Sequence, residues 1–348
     1  MPPELAIADD FSLATCNTFG IDVRARRYVR IASVDALAAA LADPRLAGMP
    51  RLLLGGGSNI VLTGDFDGVV LHMAILGREL LDADDADGLD GKCTLVRAAA
   101  GENWHALVQW TVAQGLGGLE NLALIPGTVG AAPIQNIGAY GVELKDVLHS
   151  VTVYELATGH LRRMTALDCR FGYRDSVFKH DDGAGLVIVD VTFALPRAWR
   201  PNLAYGELAQ ELARAGLDTP GPADISAAVM AIRRRKLPDP ALIGNAGSFF
   251  KNPVVSNAQC AALLAAFPTL VHHAQLDGSE KLAAGWLIDQ CGWRGRTLGA
   301  AGVYPKQALV LVNNGGATGA EVLALARAIS ADVRQRYGVT LEPEPVFV

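Results

Sequence analysis

The sequence of 348 residues contains few cysteines and few charged residues. Its five cysteines are odd in number, widely separated and without a CxxC pair, so they suggest neither a disulfide framework nor a zinc site. Charged residues make up 19% of the chain and hydrophobic residues 51%, which excludes a disordered protein. The net charge is −6 without a Lys- or Arg-dense face, which argues against general binding of nucleic acid or anionic lipid. We therefore expect a globular protein whose partner is a small molecule.

The sequence also lacks a targeting or membrane-spanning signal. No Lys or Arg precedes Arg24, so the basic region of a secretory signal is missing and we expect a cytoplasmic protein. Two stretches, 121–142 and 252–276, contain no Asp, Glu, Lys or Arg. Prolines and polar side chains interrupt both stretches, and we expect neither to span a membrane.

Hydrophobic periodicity predicts a mixture of strands and helices. Thr318 and Glu321 fit a capping box that starts a long helix, and Gly338 fits its end. The apolar stripe of that helix consists of Val322, Leu325, Ile329 and Val333. Strands are predicted at 51–54, 68–75, 94–98, 150–156, 186–194 and 308–313, and further helices at 33–42, 102–114 and 223–236.

Composition changes near residues 237–240 and 337–338 predict three domains. The first comprises residues 1–82 with 338–348, the second 83–237, and the third 238–337. An acidic tract at 82–90 could suggest a calcium loop, but Ala86 and Cys93 occupy positions where an EF-hand needs ligands. We interpret the tract as a solvated connection.

Glycine accounts for 37 of the 348 residues, which exceeds the usual share of about 7%, and it clusters in loops. One cluster, Gly55 to Asn59, follows a predicted strand. Its main-chain N–H groups could surround a phosphate with help from Ser58 and Asn59, or the cluster could be only a tight turn. Neither GxGxxG nor GxxxxGK[ST] occurs, which disfavours a Rossmann or P-loop site.

A second unusual segment, 122–141, is too interrupted by Pro and Gly for one regular element and too apolar for an exposed loop. Small residues there would let an extended backbone lie along a planar, partly apolar cofactor. The alternative is a buried structural loop.

Three polar residues could take part in chemistry. Arg174 could hold a carboxylate and stabilise an enolate, or it could form a surface pair with Asp175. Ser248 follows Gly247 and could face a cleft, or it could belong to a plain turn; without a GxSxG elbow a serine hydrolase is disfavoured. Glu344, between two prolines, could present a fixed carboxylate or lie in a tail.

Taken together, the segments resemble the UDP-N-acetylenolpyruvoylglucosamine reductase family over nearly the whole chain. A tyrosine-containing stretch at 203–208 resembles the loop of the longer type of this family. The matching segments, in the family's order, are 17–20, 55–59, 101–104, 125–141, 172–176, 245–253, 281–290 and 341–344.

The resemblance implies an α+β fold of three domains. The first two would form a vanillyl-alcohol-oxidase-like (PCMH-type) FAD-binding unit, at about residues 24–198, and the third would close over a nucleotide-sugar substrate. It also implies FAD as cofactor and NADPH as reductant. The residues assigned to FAD are Gly55, Gly56, Gly57, Ser58, Asn59, Ile125, Pro126, Gly127, Thr128, Gly130, Gln135, Asn136, Gly138, Ala139 and Tyr140.

The implied reaction reduces UDP-N-acetylglucosamine enolpyruvate to UDP-N-acetylmuramate, a peptidoglycan precursor. Hydride would pass from NADPH to FAD and then from flavin N5 to C3 of the substrate. Arg174 and Glu344 would stabilise the enol-like intermediate, and Ser248 would deliver a proton to C2. The residues implied around the substrate are Tyr173, Tyr205, Lys236, Asn252 and Gln307.

The sequence departs from the family pattern close to Glu344. It ends at Val348 where longer members continue, and Pro345 stands where a smaller apolar residue is commoner.

Two other functions remain possible: an FAD-dependent alcohol or lactone oxidase of the same fold class, and a flavin- or nucleotide-sugar-binding protein without catalysis. The set of Arg174, Ser248 and Glu344 favours the reductase, which we expect to act as a monomer without a metal.

Overall fold

The computed structural model describes residues 5–81 and 91–348, so the acidic tract at 82–90 lies outside the described residues. The helices are α1 (Val34–Ala42), α2 (Trp104–Ala113), α3 (Gly206–Arg214), α4 (Pro222–Lys236), α5 (Asn257–Ala266), α6 (Ala284–Gln290) and α7 (Gly319–Tyr337). The strands are β1 (Ile7–Ser12), β2 (Arg24–Ile31), β3 (Arg51–Leu54), β4 (Ile60–Val61), β5 (Phe66–Met73), β6 (Arg78–Leu81), β7 (Cys93–Ala99), β8 (Gly138–Ala139), β9 (Val142–Glu143), β10 (Leu148–Glu155), β11 (Leu161–Thr165), β12 (Leu186–Pro196), β13 (Gly244–Ser248), β14 (Val254–Val255), β15 (His272–Ala274), β16 (Glu280–Leu282), β17 (Thr297–Leu298), β18 (Ala301–Val303), β19 (Val310–Asn313) and β20 (Val346–Phe347).

The described residues form two units. The first comprises those within Met1–Phe11, Ala25–Gly56 and Asp67–Arg235, and the second comprises Ser12–Arg24, Gly57–Phe66 and Lys236–Val348. The predicted division into three domains stays a prediction, and its boundary at residues 82 and 83 lies in the part that is not described.

Two main sheets form the first unit. One has the strand order β1-β2-β5-β3, with β3 parallel to β5, and the other has the order β11-β10-β12-β7-β6, in which neighbours are antiparallel. Val153 and Phe193 from the second sheet, with Leu107 of α2 and Val229 of α4, belong to one fully buried cluster. Val189 of the same sheet is buried instead with side chains of β2, α1 and β5. The larger sheet is therefore covered on both faces.

The second unit contains a four-stranded sheet with the order β13-β19-β18-β17 and a three-stranded sheet with the order β14-β16-β15. Helix α7 packs against β17, β18, β19 and α6. The last strand, β20, pairs in parallel with β4. The mixture of helices and mainly antiparallel sheets confirms the α+β fold class.

The strongest sequence signals predict the elements well. Thr318 and Glu321 form the capping box of α7, and Gly338 ends the helix with φ +64°. The predicted stripe of this helix is fully buried. The six predicted strands correspond to β3, β5, β7, β10, β12 and β19, with ends shifted by a few residues. Helix α5 lies within the uncharged stretch 252–276, and no helix of the described chain is long and apolar enough to cross a membrane.

Candidate functional site

The two segments predicted to hold a cofactor pack against each other in the first unit. Gly55 and Gly56 follow β3. A Cβ at Gly55 would lie 2.5 Å from Oγ1 of Thr128, and one at Gly56 would lie 3.0 Å from Cα of Gly127. A larger residue at Gly56 would need the backbone of the other segment to shift, and one at Gly55 would need the Thr128 side chain to move. The two predicted cofactor segments are therefore in direct contact.

The rest of the glycine cluster belongs to the second unit. Gly57 has φ +59°, and a Cβ there would lie 2.0 Å from the main-chain oxygen of Cys16. The N–H of Thr18 donates to the carbonyl of Gly57 at 3.0 Å. Ser58 and Asn59, the two predicted donors, are partly exposed. Glycine at position 57 is thus required by both backbone conformation and space.

Most of the predicted cofactor residues in the apolar segment 122–141 are partly exposed. Strain occurs along it, because Leu124, Asn136 and Tyr140 have φ of +60°, +44° and +50°. Such left-handed conformations are uncommon for residues other than glycine, and they often occur at ligand sites. The partly exposed predicted cofactor residues in this segment are Ile125, Pro126, Gly127, Thr128, Gly130, Gln135, Gly138, Ala139 and Tyr140.

Asn136 is the buried exception among these residues. Its Nδ2 donates to Oε2 of Glu143 and to the carbonyl of Gly172, each at 3.0 Å. Its Oδ1 accepts a hydrogen bond from the N–H of Lys145 at 3.0 Å. Both amide hydrogens are therefore used within the protein, and the side chain ties the apolar segment to the turn that carries Arg174.

Arg174 occupies a tight turn closed by a main-chain bridge between Gly172 and Asp175. Its φ is +54°, another left-handed conformation. The guanidinium donates to the carbonyl of Gly138 at 2.7 Å and lies 5.5 Å from the centre of the Tyr173 ring. The turn thus places Arg174 against one of the predicted cofactor residues.

Asp175, the neighbour of Arg174, interacts with His180. Its two carboxylate oxygens lie 3.0 and 2.9 Å from Nε2 of His180. Burial raises the pKa of Asp175, but the hydrogen bond and charge of His180, the Ser176 N–H and the charge of Lys179 together outweigh burial and bring this pKa below its ordinary value. Asp175 is therefore ionised near neutral pH and anchors the end of the turn.

Arg233 of α4 contributes a partly buried cation that the sequence interpretation missed. Its Nε is buried and has no hydrogen-bond partner in the described part of the chain, while its guanidinium interacts with the Tyr140 hydroxyl. Burial lowers the pKa of Arg233, and burial raises the pKa of Tyr140 to about 12 despite the nearby positive charge. A cation facing a neutral phenol, with one donor unused, is suited to an anionic or electron-rich ligand.

The sequence did contain a signal for Arg233. Val229 and Ile232 of α4 are apolar and buried, and Arg233 lies four residues after Val229, on the same helical face. Tyr140 also contacts the predicted substrate residue Tyr205. The two rings meet edge-on, with 5.1 Å between their centres.

His105 holds the beginning of the apolar segment. Its Nδ1 lies 3.0 Å from the main-chain nitrogen of Leu124 and accepts the N–H. Burial, followed by the positive charges of Arg234 and Arg233, lowers the pKa of His105. The imidazole is therefore neutral near pH 7, as an acceptor nitrogen must be, and it stabilises Leu124 in its left-handed conformation.

Ser248 is exposed at the end of β13 in the second unit. The pairing of β13 with β19 is irregular between Asn245 and Ser248. Gly247 has φ +69°, and its N–H donates to Oδ1 of Asn245 at 2.9 Å. Phe249 and Phe250, the next two residues, are both buried. The bulge therefore turns Ser248 outward while the aromatic pair fixes the strand that follows it.

Asn245, which shapes this bulge, is itself held firmly. It is buried, and its Nδ2 donates to the carbonyl of Ile243 at 2.8 Å. Thr18, from the predicted family segment 17–20, makes two hydrogen bonds to the backbone of Asn245. Oγ1 of Thr18 donates to the Asn245 carbonyl at 2.7 Å, and the Asn245 N–H donates to the Thr18 carbonyl at 3.0 Å. The position of Ser248 thus depends on residues far away in sequence.

Glu344 lies on the chain segment adjacent to Ser248. Its N–H donates to the carbonyl of Phe249 at 2.9 Å, and its own carbonyl accepts from Nδ2 of Asn59 at 3.2 Å. Pro345, one of the departures from the family pattern, is buried. Strand β20 follows immediately and pairs with β4. The backbone of Glu344 is therefore fixed on both sides in a chain that ends four residues later.

Two predicted substrate residues, Asn252 and Gln307, each lie against the start of α6. Oδ1 of Asn252 accepts from the N–H of Ala284 at 3.0 Å. A Cβ at Gly285 would lie 3.2 Å from Oε1 of Gln307. Lys236, at the end of α4, is partly exposed and belongs to the same unit.

The predicted site residues are thus divided between the units. The first unit brings together Gly55, Gly56, the cofactor residues from Ile125 to Tyr140, Tyr173, Arg174 and Tyr205. The second contains Gly57, Ser58, Asn59, Lys236, Ser248, Asn252, Gln307 and Glu344. Each of the two groups contains at least one of the predicted catalytic residues.

Comparison with known proteins gives consistent matches. Residues 25–165 match the model of an FAD binding domain, and residues 239–348 match the C-terminal domain of UDP-N-acetylenolpyruvoylglucosamine reductase. The reductase from Paraburkholderia phymatum is 60% identical over 347 residues, and the one from Azoarcus sp. is 58% identical over 347 residues; each alignment covers 99% of both chains.

A solved structure agrees with these matches. The UDP-N-acetylenolpyruvylglucosamine reductase from Thermus caldophilus superimposes with a TM-score of 0.63 at 25% identity, covering 99% of this chain and 98% of that one. The similarity therefore extends through both units and both groups of site residues. The chain belongs to the UDP-N-acetylenolpyruvoylglucosamine reductase family.

Proposed function

We propose that the protein uses NADPH and FAD to reduce UDP-N-acetylglucosamine enolpyruvate to UDP-N-acetylmuramate. Family membership over 99% of the chain supports this reaction. The structural observation that carries the proposal is the hydrogen bond from the Glu344 N–H to the Phe249 carbonyl, which fixes Glu344 beside the strand of Ser248. Two groups suited to proton transfer and charge stabilisation thus lie on paired segments, although they are far apart in sequence.

FAD fits the residues of the first unit. The contact between Gly55 and Thr128 leaves only small groups where the two segments meet, and the Arg233 side chain has a buried donor to spare. When bound, FAD supplies the redox chemistry by accepting hydride from NADPH and passing hydride to C3 of the enolpyruvyl group. Gly55 to Asn59 would hold its pyrophosphate, and Ile125 to Tyr140 would line the rest of the molecule. Arg233 and Tyr140 would together contact an electron-rich part of FAD.

Arg174 would stabilise the negative charge that develops beside the substrate carboxylate. A guanidinium remains charged throughout and presents several donors, so it suits a planar carboxylate or enolate. Its hydrogen bond to Gly138 and the left-handed turn restrict its position before substrate binds. Such preorganisation is what makes electrostatic stabilisation effective in catalysis.

Ser248 would donate a proton to C2, and Glu344 would stabilise the same intermediate. An alcohol is a weak acid, so Ser248 needs a proton supply and a precise position. The bulge and Asn245 provide the position. Glu344 would contribute most in its protonated form, which donates a hydrogen bond to the enol oxygen. Lys236, Tyr205, Asn252 and Gln307 would bind the uridine diphosphate part of the substrate.

Anaerobic spectroscopy of the purified protein tests the proposal. We expect a yellow protein that NADPH bleaches and that regains its colour when UDP-N-acetylglucosamine enolpyruvate is added, with UDP-N-acetylmuramate as the product. A flavin-free preparation would contradict the proposal. Recovery of colour with air but not with the enolpyruvyl substrate would indicate an oxidase instead.

A further inference from the structure

Three side chains with metal-binding atoms converge in the second unit, outside the proposed active site. Cys260 belongs to α5, His272 to β15 and Glu280 to β16. The Cys260 sulfur, a ring nitrogen of His272 and a carboxylate oxygen of Glu280 all lie within 4.8 Å of one another. Within residues 5–81 and 91–348, no other group of three or more His, Cys, Asp or Glu side chains has this arrangement.

The antiparallel sheet explains why the histidine and the glutamate meet. Strands β15 and β16 pair with Ala274 opposite Glu280 and His272 opposite Leu282. His272 and Glu280 are therefore diagonal neighbours on one face of the sheet. Their Nδ1 and Oε2 atoms are 2.8 Å apart. Cys260 of α5 completes the cluster from outside the sheet.

Burial distinguishes this cluster from ordinary surface groups. Cys260 is 2% exposed and Glu280 is 8% exposed, whereas a solvated acidic cluster would face water. The His272 side chain is 33% exposed, which leaves an entry from solvent. A buried carboxylate and thiol beside an accessible imidazole is an arrangement in which a cation compensates the desolvated acidic groups.

We propose that Cys260, His272 and Glu280 bind one Zn²⁺ ion. Sulfur, nitrogen and carboxylate oxygen are the ligand atoms that Zn²⁺ uses in proteins, whereas a sulfur ligand disfavours Mg²⁺ and Ca²⁺. Tetrahedral coordination at usual bond lengths separates such ligand atoms by about 3.3–3.6 Å. The His272–Glu280 distance must widen by roughly half an ångström and the longer separations must shorten, changes within the reach of side-chain rotation.

The ion would have three protein ligands and a fourth position open toward solvent on the side of His272. Because the ligands come from α5, β15 and β16, the ion would tie this helix to the three-stranded sheet. None of the three residues is among those we assign to FAD, to the substrate or to catalysis. Zn²⁺ is therefore expected to raise thermal stability without being needed for turnover.

Calorimetric titration of the full-length, FAD-loaded protein with Zn²⁺, after chelator treatment, tests the site. We expect one ion per chain. Cys260→Ser and His272→Gln should each weaken binding by more than about tenfold, in line with the loss of a direct ligand. The matched controls are Cys93→Ser, which changes a thiol of the first unit, and His273→Gln, which changes the exposed neighbour on the opposite face of β15. Undiminished binding in the two ligand variants, or equal weakening in the controls, would overturn the proposal.

A measurement on the unsubstituted protein covers the case in which the variants do not fold. Co²⁺ in a tetrahedral site with a thiolate ligand gives visible bands at wavelengths longer than those absorbed by oxidised flavin. We expect these bands to appear with one equivalent of Co²⁺ and to disappear when Zn²⁺ displaces it. Their absence, together with no rise of the melting temperature in Zn²⁺, would refute the site.

Discussion

The Nδ1 atom of His105 accepts a hydrogen bond from the main-chain N–H of Leu124 at 3.0 Å, and this contact holds a leucine at φ +60°. A left-handed conformation costs a residue with a Cβ about 1–2 kcal/mol. The hydrogen bond offsets part of that strain at the point where the predicted cofactor segment begins. It depends on an unprotonated ring nitrogen and is therefore sensitive to pH.

We expect the protein to lose stability as the pH falls below the ordinary histidine value of 6.5. Burial and the charges of Arg234 and Arg233 lower the pKa of folded His105, so the unfolded chain binds the proton more readily. The contribution of His105 is complete above 6.5 and declines as the pH falls toward the folded pKa. Melting temperatures measured from pH 8 to pH 5 check this.

His105→Asn tests whether this residue is responsible. The asparagine Oδ1 can accept the Leu124 N–H without titrating, so the loss of stability between about pH 6.5 and pH 5 should become smaller. His160→Asn, at an exposed position, should leave the profile unchanged. If both variants retain the full pH dependence, the effect arises elsewhere, for instance at His72, whose pKa burial also lowers.

Arg233→Met should weaken FAD binding while leaving the FAD-free protein at least as stable. A hydrogen bond to a charged group is worth about 1.5–3 kcal/mol, which corresponds to a loss of affinity of about tenfold to hundredfold. Without FAD, the substitution removes a cation whose Nε is buried and unpartnered, together with its interaction with the Tyr140 hydroxyl. The relief of the buried charge offsets the lost interaction, so unfolding should not become easier. Fluorescence titration of the FAD-free protein with FAD measures the affinity, and thermal melts measure the stability.

Arg234→Met is the matched control, because Arg234 is the exposed neighbour on the same helix. It should change FAD affinity by less than about twofold, since an exposed charge contributes little. Equal effects of the two substitutions on FAD affinity would indicate that FAD binding depends only on the overall charge of α4.

Local signals in the sequence predicted the local features of the fold. The capping box of α7, its buried stripe and the strands with continuous apolar runs depend on residues close in the chain, and these are confirmed. The resemblance to a family correctly indicated the fold class, the cofactor and the reaction. Helix α5 was missed because its sequence is nearly uniformly apolar and shows no clear period.

Features that depend on distant residues could not be predicted in this way. The Nε of Arg233 is buried because α4 packs on the core. The apolar residues of α4 indicate which face is buried, but a charged residue on that face gives no hydrophobic signal of its own. Cys260, His272 and Glu280 have no motif spacing, so the sequence suggested no zinc site. The hydrogen bond between Glu344 and Phe249 joins segments whose pairing only the folded chain reveals.

Asn136→Gly and Asn136→Ala should both destabilise the protein, and alanine should do so more strongly. Each removes three hydrogen bonds of a buried amide and leaves partners unsatisfied, at a cost of about 1–3 kcal/mol. Alanine adds the strain of a left-handed residue at φ +44°, about 1–2 kcal/mol, which glycine avoids. Urea unfolding of the two variants measures the difference, and equal values would show that the backbone has relaxed.

Ser248→Ala should slow substrate reduction while leaving the reduction of FAD by NADPH intact. Removing a positioned proton donor costs about 10²- to 10⁴-fold in the step that uses it. Ser248 is exposed at a bulge formed by its neighbours' backbone, so the substitution should not alter the fold. Stopped-flow measurement of the two half-reactions separates the steps, and Ser279→Ala, in the turn between β15 and β16, serves as the control. If both half-reactions of the Ser248 variant slow together, the serine supports the site as a whole and does not supply the proton.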